Sequence, residues 1–323
     1  MDKRLYDVIA LGELLIDFTE NGMTGQGNPL LEANPGGAPC NVLAMLEKLG
    51  KKTAFIGKVG DDMFGKQLTD AVKEAGIDTR NLVVDNEVHT TLAFVHTYPD
   101  GDRDFSFYRN PGADMMLKKE EIQPDLIQNS RIFHFGTLSS THEGVRAATR
   151  YALNVAEDAG CIISFDPNLR PPLWKSLQDA KAEIEYGLSH CDILKISDNE
   201  VEFLFGTTDY DKGAALLKEK YQIPLILITM GKDGSRAYYK DLKVEAAPFL
   251  QEHTIETTGA GDTFCASSLN YIAEHGLEEL TTENLKELLT FANAAASLIT
   301  TRKGALRVMP TRQEVLDFIE SRK

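Results

Sequence analysis

Asn41-Val42-Leu43-Ala44-Met45-Leu46-Glu47-Lys48-Leu49-Gly50, followed almost at once by Thr53-Ala54-Phe55-Ile56-Gly57-Lys58-Val59, decides the fold class. Val42, Met45, Leu46 and Leu49 fall on one face of a helix, and Gly50 supplies its stop. Thr53 to Val59 is an apolar run of strand length, and Tyr6 to Leu11, ahead of the helix, is another. Strand, helix, strand is the repeating unit of a parallel sheet.

The unit recurs down the chain. Helix Phe64 to Ala75 stops at Gly76, strand Arg131 to Phe135 precedes helix Glu143 to Ala159, and strand Cys161 to Phe165 follows Gly160. Strand Asp192 to Ile196, helices Asn199 to Phe205 and Lys212 to Lys220, strand Pro224 to Met230, and helices Gly261 to His275 and Thr282 to Thr300 complete the series. The expected fold is α/β: a mostly parallel central sheet with helices on both faces. Two stretches break the rhythm, 14–35 and 88–110, extended and without a helical pattern, the second folded at Asp100-Gly101. They are expected to form a small β-sheet lid over the ligand-bearing edge, with Leu92, Phe94, Phe105 and Phe107 as its apolar face. A decorative surface hairpin is the plainer alternative.

The chain has 323 residues, 34 Lys plus Arg and 49 Asp plus Glu, hence a formal net charge of −15. A surface that negative disfavours nucleic acid and anionic lipid, and no run of five or more like charges offsets it. No apolar stretch approaches a membrane span, and Glu13 interrupts the N-terminal run that would otherwise resemble an export signal. Cys40, Cys161, Cys191 and Cys265 are widely spaced without a C-x-x-C pair, and the seven histidines lack zinc-ligand spacing. A reduced, cytoplasmic chain is expected, built as one unit over 1–323 with the lid as a subdomain.

Glu256-Thr257-Thr258-Gly259-Ala260-Gly261-Asp262-Thr263-Phe264 opens a helix with small residues. Such a start leaves backbone N–H groups uncovered, where the helix dipole also favours an anion. Asp262 in the first turn would repel that anion, so its placement makes better sense as a base accepting a proton from an attacking hydroxyl. A plain helix cap explains the segment equally well when it is taken alone. No G-x-x-x-x-G-K-[ST] loop and no dinucleotide fingerprint compete with it. A second small-residue turn, Asn34-Pro35-Gly36-Gly37-Ala38-Pro39-Cys40-Asn41, permits close ligand approach at Gly36 and Gly37. Asn41 can donate and accept hydrogen bonds, and Asp17 can accept two, a set suited to a polyol.

Pro35 through Gly65, including Gly57-Lys58-Val59-Gly60-Asp61-Asp62, resembles the N-terminal signature of the PfkB (ribokinase-like) carbohydrate kinases, and Thr257 to Asp262 resembles their C-terminal signature. Gly12 to Phe18, Phe107 to Asp114, Phe133 to Gly136 and Ser164 to Arg170 resemble fructokinases within that family. The resemblance spans the chain and implies a ribokinase-like fold and ATP-dependent phosphorylation of a sugar, D-fructose to fructose 6-phosphate. It implies Asp262 as base, with Gly259, Ala260 and Gly261 as the anion hole. It further implies Asp17, Gly36, Gly37 and Asn41 as sugar ligands, Arg109 closing over the sugar, and Arg170 near the nucleotide phosphates. Thr229, Gly231 and Gly234 match the triphosphate and ribose loop, and Asn293 the adenine pocket.

Two departures stand out. The family's initial Asp is here Glu256, which with Thr258 would hold a monovalent cation, and Val308 replaces a Ser that often contributes. Potassium activation is therefore doubtful, although carbonyls near Ile299, Arg302 and Gly304 remain available. The family's N-x-x-E motif, linked to hydrated Mg2+, is here Ser197-Asp198-Asn199-Glu200, retaining only Glu200. Magnesium with ATP is still expected, as is a homodimer formed through the lid. The alternatives are 2-keto-3-deoxygluconate kinase, in which Arg109 would meet a carboxylate, ribokinase, and a non-catalytic sugar- or nucleotide-binding regulator.

Overall fold

A computed structural model describes residues 4–97 and 103–322, with backbone only for 96–97 and 103–105. Along the chain, β1 (Tyr6–Leu11), β2 (Leu15–Met23), β3 (Pro29–Gly36), α1 (Ala38–Lys48), β4 (Thr53–Gly60), α2 (Met63–Glu74) and β5 (Asp78–Asp85) lead to β6 (Leu92–Thr97) and β7 (Arg103–Tyr108). The middle of the chain holds α3 (Pro124–Gln128), β8 (Ser130–Gly136), α4 (Glu143–Asp158), β9 (Ile162–Asp166), α5 (Leu177–Leu188), β10 (Ile193–Ser197), α6 (Asp198–Phe205), α7 (Tyr210–Tyr221) and β11 (Leu225–Thr229). It closes with β12 (Ser235–Tyr239), β13 (Leu242–Ala246), α8 (Ala260–His275), α9 (Thr282–Ile299) and α10 (Arg312–Glu320).

Among the described residues nine strands form the main sheet, in the order β13-β12-β11-β10-β9-β8-β1-β4-β5. β5 through β11 run parallel, and only β12 and β13 are antiparallel. This is the ribokinase-like α/β architecture expected from the alternation. Each parallel strand except the edge strand β5 is covered on both faces, which is why these sequences read as mostly apolar. Val8 and Ala10 of β1 face a core with Leu43, Phe264 and Leu289 from α1, α8 and α9. Ile9 and Leu11 face the opposite core, with Val145, Ile184 and Leu217 from α4, α5 and α7. The strands after β1 add on one side of it as β4 and β5, and on the other as β8 to β11. The strand order reverses at β1, and in open α/β sheets the crevice at such a reversal, beyond the strands' carboxyl ends, is where ligands bind.

Several elements escape the sequence pattern. β5 and the β12–β13 hairpin lie at the two sheet edges, where half-exposed strands carry charge, as in Asp78-Thr79-Arg80 and Ser235-Arg236. The hairpin turns at Lys240 with φ 50° instead of at a glycine, so it lacks the usual turn signature. The amphipathic α5 and α10 also go unflagged.

β3, β2, β6 and β7 make a second, four-stranded sheet. β2 and β6 are parallel and the other pairs antiparallel. The Asp100-Gly101 turn lies outside the described residues. The register pairs Leu92 with Tyr108 and Ala93 with Phe107, so strand parity separates the expected apolar face. Leu92 and Phe94 share a face with Tyr108, while Phe107 lies on the other. Phe94 stacks on Phe18 at 4.9 Å between centroids and meets Tyr108 edge-on at 5.2 Å.

Candidate active site

A cavity of about 410 Å³ opens at the crevice beside β1. Leu15, Asp17, Val95 and Phe107 of the small sheet form one wall, and Glu13, Leu138, Asn168, Arg170 and Lys195, beyond or within β1, β8, β9 and β10, form another. The turn into α1, with Gly37, Ala38 and Asn41, and the start of α8, from Thr257 to Asp262, complete it. The small sheet thus walls a cavity whose floor belongs to the main sheet.

Gly259 caps α8 in the left-handed region at φ 79°, and no side chain among the described residues caps this helix. The Ala260 N–H turns back to the Thr257 carbonyl at 3.2 Å. The N–H groups of Gly261 and Asp262 therefore remain at the helix start without a helical acceptor, next to the positive end of the dipole. Of the residues expected to form an anion hole, Gly259, Ala260 and Gly261, Ala260 thus spends its donor on the turn.

Asp262 points into the cavity from the first helical turn. Its Oδ2 accepts a hydrogen bond from Asn41 Nδ2 at 2.8 Å, across 221 residues of sequence. Burial pushes its pKa up to about 6, against the Asn41 hydrogen bond, and Asp166 adds to the rise while Lys195 and Arg170 oppose it. The carboxylate is therefore ionised at neutral pH yet basic enough to accept a proton in transit. Asn41 Oδ1 is buried with no partner. A buried orphan acceptor costs free energy unless a ligand donor satisfies it, and a sugar hydroxyl is such a donor.

Asp17 reaches the same cavity from β2. A Cβ on Gly36 would stand 2.3 Å from Asp17 Oδ2, so only glycine lets the carboxylate adopt this position. Gly37, at φ 123°, packs against the Glu13 carbonyl, 2.4 Å from where its Cβ would stand. Burial raises Asp17 to about 7, opposed by Arg170 and assisted by Glu256 and Asp262. Glu13 is likewise raised to about 7 by burial and accepts the Ala38 N–H at 2.9 Å. Three carboxyl groups thus share a cavity whose cations are Arg170 and Lys195.

Arg170 lines the cavity, with Nη1 on the Leu169 carbonyl at 3.1 Å. Arg109 does not line it. The Arg109 guanidinium is held by Asp114 at 2.6 Å, Thr141 Oγ1 at 2.7 Å and the Leu138 carbonyl at 3.0 Å, with both ionic side chains buried. It braces the loop carrying Leu138 from behind, because Asp114 competes successfully for its charge.

Apart from Arg170, the residues expected on the nucleotide side are not among those lining this cavity. Thr229 pairs with Ser197 at the carboxyl ends of β11 and β10. Gly231 and Gly234 take φ 53° and 89° in the following turn. Asn293 is fully committed: it donates to the Ala246 and Ala247 carbonyls at 3.2 and 3.1 Å and accepts from Ser235 Oγ at 2.9 Å. It fastens the β13 edge to α9.

Among the described residues no group of three His, Cys, Asp or Glu side chains could hold a metal ion. Glu200 accepts from Ser197 N and Oγ at 2.8 and 2.9 Å and from Leu169 N at 2.8 Å, which makes it the clasp of the α6 start. Glu256 Oε2 accepts the Gly304 N–H at 3.0 Å, and the Ile299 carbonyl accepts the Arg302 N–H at 3.0 Å. Thr258 lines the main cavity, and the Val308 carbonyl accepts from Arg302 Nη1 at 2.9 Å.

Glu13, Asp166, Asn168 and Lys195 were not anticipated as site residues. Two of them carry a sequence signal: Glu13 and Lys195 are charges inside otherwise apolar strand-like runs, where desolvation demands a partner or a ligand. Asn168 is held at φ 45° directly after Asp166-Pro167, a conformation asparagine tolerates better than most residues.

A buried carboxylate beside an uncapped helix start, on a doubly covered parallel sheet, fits the class of α/β phosphoryl-transfer enzymes. The model of the pfkB family carbohydrate kinases matches residues 6–312, and the chain belongs to that family. It is 41% identical over 318 residues to a probable fructokinase-2 of Arabidopsis thaliana, covering 97% of this chain and 95% of that one. The fructokinase of Xylella fastidiosa with bound ATP superposes with a TM-score of 0.87 at 31% identity, covering 98% and 99% of the two chains. A double mutant of the Vibrio cholerae fructokinase, in its fructose-, ADP- and potassium-bound form, gives 0.88 at 26% identity, covering 99% and 100%.

Proposed function

We propose that this protein transfers the γ-phosphoryl group of ATP to the 6-hydroxyl of D-fructose, giving fructose 6-phosphate and ADP. The carrying observation is Asp262, ionised, beside two free helix-start N–H groups and hydrogen-bonded to an asparagine whose other polar atom has no partner. The fructokinase names of the full-length relatives, and the fructose and ATP bound by solved neighbours, support this substrate pair.

Asp17 and Asn41 Oδ1 accept hydroxyl protons of the sugar and fix it in the cavity. Asp262 takes the proton of the 6-hydroxyl as that oxygen forms its bond to the γ-phosphorus. The bond from phosphorus to the β,γ-bridging oxygen breaks, and its electron pair leaves with ADP. The Gly261 and Asp262 N–H groups and Arg170 meet the charge on the moving phosphoryl group. Because the alcohol's proton leaves late in a loose transition state, the position of Asp262 matters more than its basicity. The small sheet acts as a lid on a single catalytic unit, excluding water that would otherwise accept the phosphoryl group.

Magnesium bound to the triphosphate neutralises phosphate oxygens. Glu200 already accepts from Ser197 N and Oγ and from Leu169 N, and the ion fits as one that arrives with the nucleotide. For a monovalent cation, Glu256 has already spent one oxygen on the Gly304 N–H. The ketodeoxygluconate reading loses its main support, since the Arg109 charge is taken by Asp114. The outward aromatic face of the small sheet, with Tyr108 67% exposed, suits a homodimer joined through these sheets. Four free, buried cysteines fit a cytoplasmic chain, and no described helix is long and apolar enough to cross a membrane.

Asp262→Asn is the test. Turnover with fructose and ATP should fall by about 10²–10⁴-fold with fructose binding retained by calorimetry, and wild-type turnover in the variant would refute the mechanism.

A further inference from the structure

Lys195 lies in the middle of β10, between fully buried Leu194 and Ile196. Its side chain is 8% exposed, and its ammonium contacts both oxygens of Asp166, 5% exposed, at 2.9 and 3.2 Å. A buried ion pair is a poor way to stabilise a core, because desolvation consumes most of the attraction and packed apolar side chains do as well. This pair is also not sealed in. Lys195 lines the cavity, and its Nζ stands 3.1 Å from where a Cβ on Gly261 would be. The missing side chain at Gly261 is what lets the ammonium lie against the first turn of α8, beside the two unpaired N–H groups. An ammonium has three donors; one is bonded to Asp166 Oδ1, with Oδ2 in ion-pair contact, so donor capacity remains for a ligand.

Resting on the kinase reading above, we infer that Lys195 is a catalytic residue: anchored by Asp166, it donates a remaining hydrogen bond to a non-bridging oxygen of the γ-phosphoryl group. It keeps its proton throughout and acts by charge, holding the phosphoryl oxygens in line while negative charge moves onto the departing ADP. The assignment also supplies the positive charge that a cavity holding Glu13, Asp17 and Asp262 needs before it can accept a polyanion. Because the contact is with the γ group alone, Lys195 distinguishes ATP from ADP.

Calorimetry on the full chain with a non-hydrolysable ATP analogue, with ADP and with fructose tests this directly. In Lys195→Met the analogue should bind at least about tenfold more weakly, ADP and fructose should change by less than about threefold, and kcat should fall about a hundredfold. Lys195→Arg should recover part of both losses. Should Lys195→Met fail to fold, the neutral pair Lys195→Gln with Asp166→Asn carries the same nucleotide comparison. Equal weakening of analogue and ADP, or no weakening of either, overturns the role of Lys195 while an active wild type leaves the kinase reading intact. A wild type that neither binds the analogue nor turns over fructose would instead overturn the kinase reading itself.

Discussion

Asn41→Leu separates the two jobs given to that side chain. The substitution keeps the volume but removes the 2.8 Å hydrogen bond to Asp262 Oδ2 and the unpaired Oδ1. A hydrogen bond to a charged group contributes about 1.5–3 kcal/mol, and one pKa unit corresponds to about 1.4 kcal/mol. Losing a donor disfavours the anion, so the Asp262 pKa should rise from about 6 by roughly one to two units. A base that stays protonated to higher pH is inactive over more of the neutral range. The acid limb of kcat, with half-activity near pH 6 in the wild type, should therefore move alkaline to roughly pH 7–8 in the variant, with the two curves converging at higher pH. A coupled ADP-release assay at saturating fructose and ATP, from pH 5 to 9, reads this; saturation matters because Asp17 and Glu13 also titrate near neutrality. Separately, the fructose KM should rise about tenfold as the hydroxyl loses its acceptor. If the acid limbs of variant and wild type superimpose, Asp262 is not the group whose ionisation governs turnover.

Gly36→Ala would place a methyl group 2.3 Å from Asp17 Oδ2 and force that carboxylate aside by about an ångström, a displacement of the size that costs roughly 10²-fold. kcat/KM for fructose should fall by about that factor while calorimetric ADP binding is unchanged; a normal kcat/KM would remove Asp17 from the sugar site. Asn293→Leu deletes three hydrogen bonds to Ser235, Ala246 and Ala247 and should cost about 2–4 kcal/mol. A thermal melt should show this as a drop of roughly 4–8 °C. An unchanged melt with weakened ATP binding would return Asn293 to the adenine pocket.

Much of the fold was legible because burial leaves a local imprint. Tyr6–Leu11 is a strand at the expected bounds, and Glu143, Thr282 and Phe205 end or begin helices where caps and glycines place them. The small-residue start of α8 was likewise readable, since a helix terminus is set by residues a few positions apart. Where the pattern failed, as at β5 and the β12–β13 hairpin, the strands lie at sheet edges and are not covered on both sides.

The site divides the same way. Asp262, Asn41, Asp17, Gly37 and Arg170 stand out as residue types in suggestive turns, and the fold brings them to one cavity. No neighbouring residues in sequence could reveal that Arg109 pairs with Asp114, that Asn293 bonds Ser235 and the β13 edge, or that Glu200 accepts from Ser197 and Leu169 N. A one-residue matter of register decided which aromatic residues of the small sheet face the cavity and which face outward. Periodicity and caps are short-range and so are written in the sequence itself. The partner of a charge, the ammonium of Lys195 against Gly261 above all, depends on which strands become neighbours, and only the assembled sheet settles that.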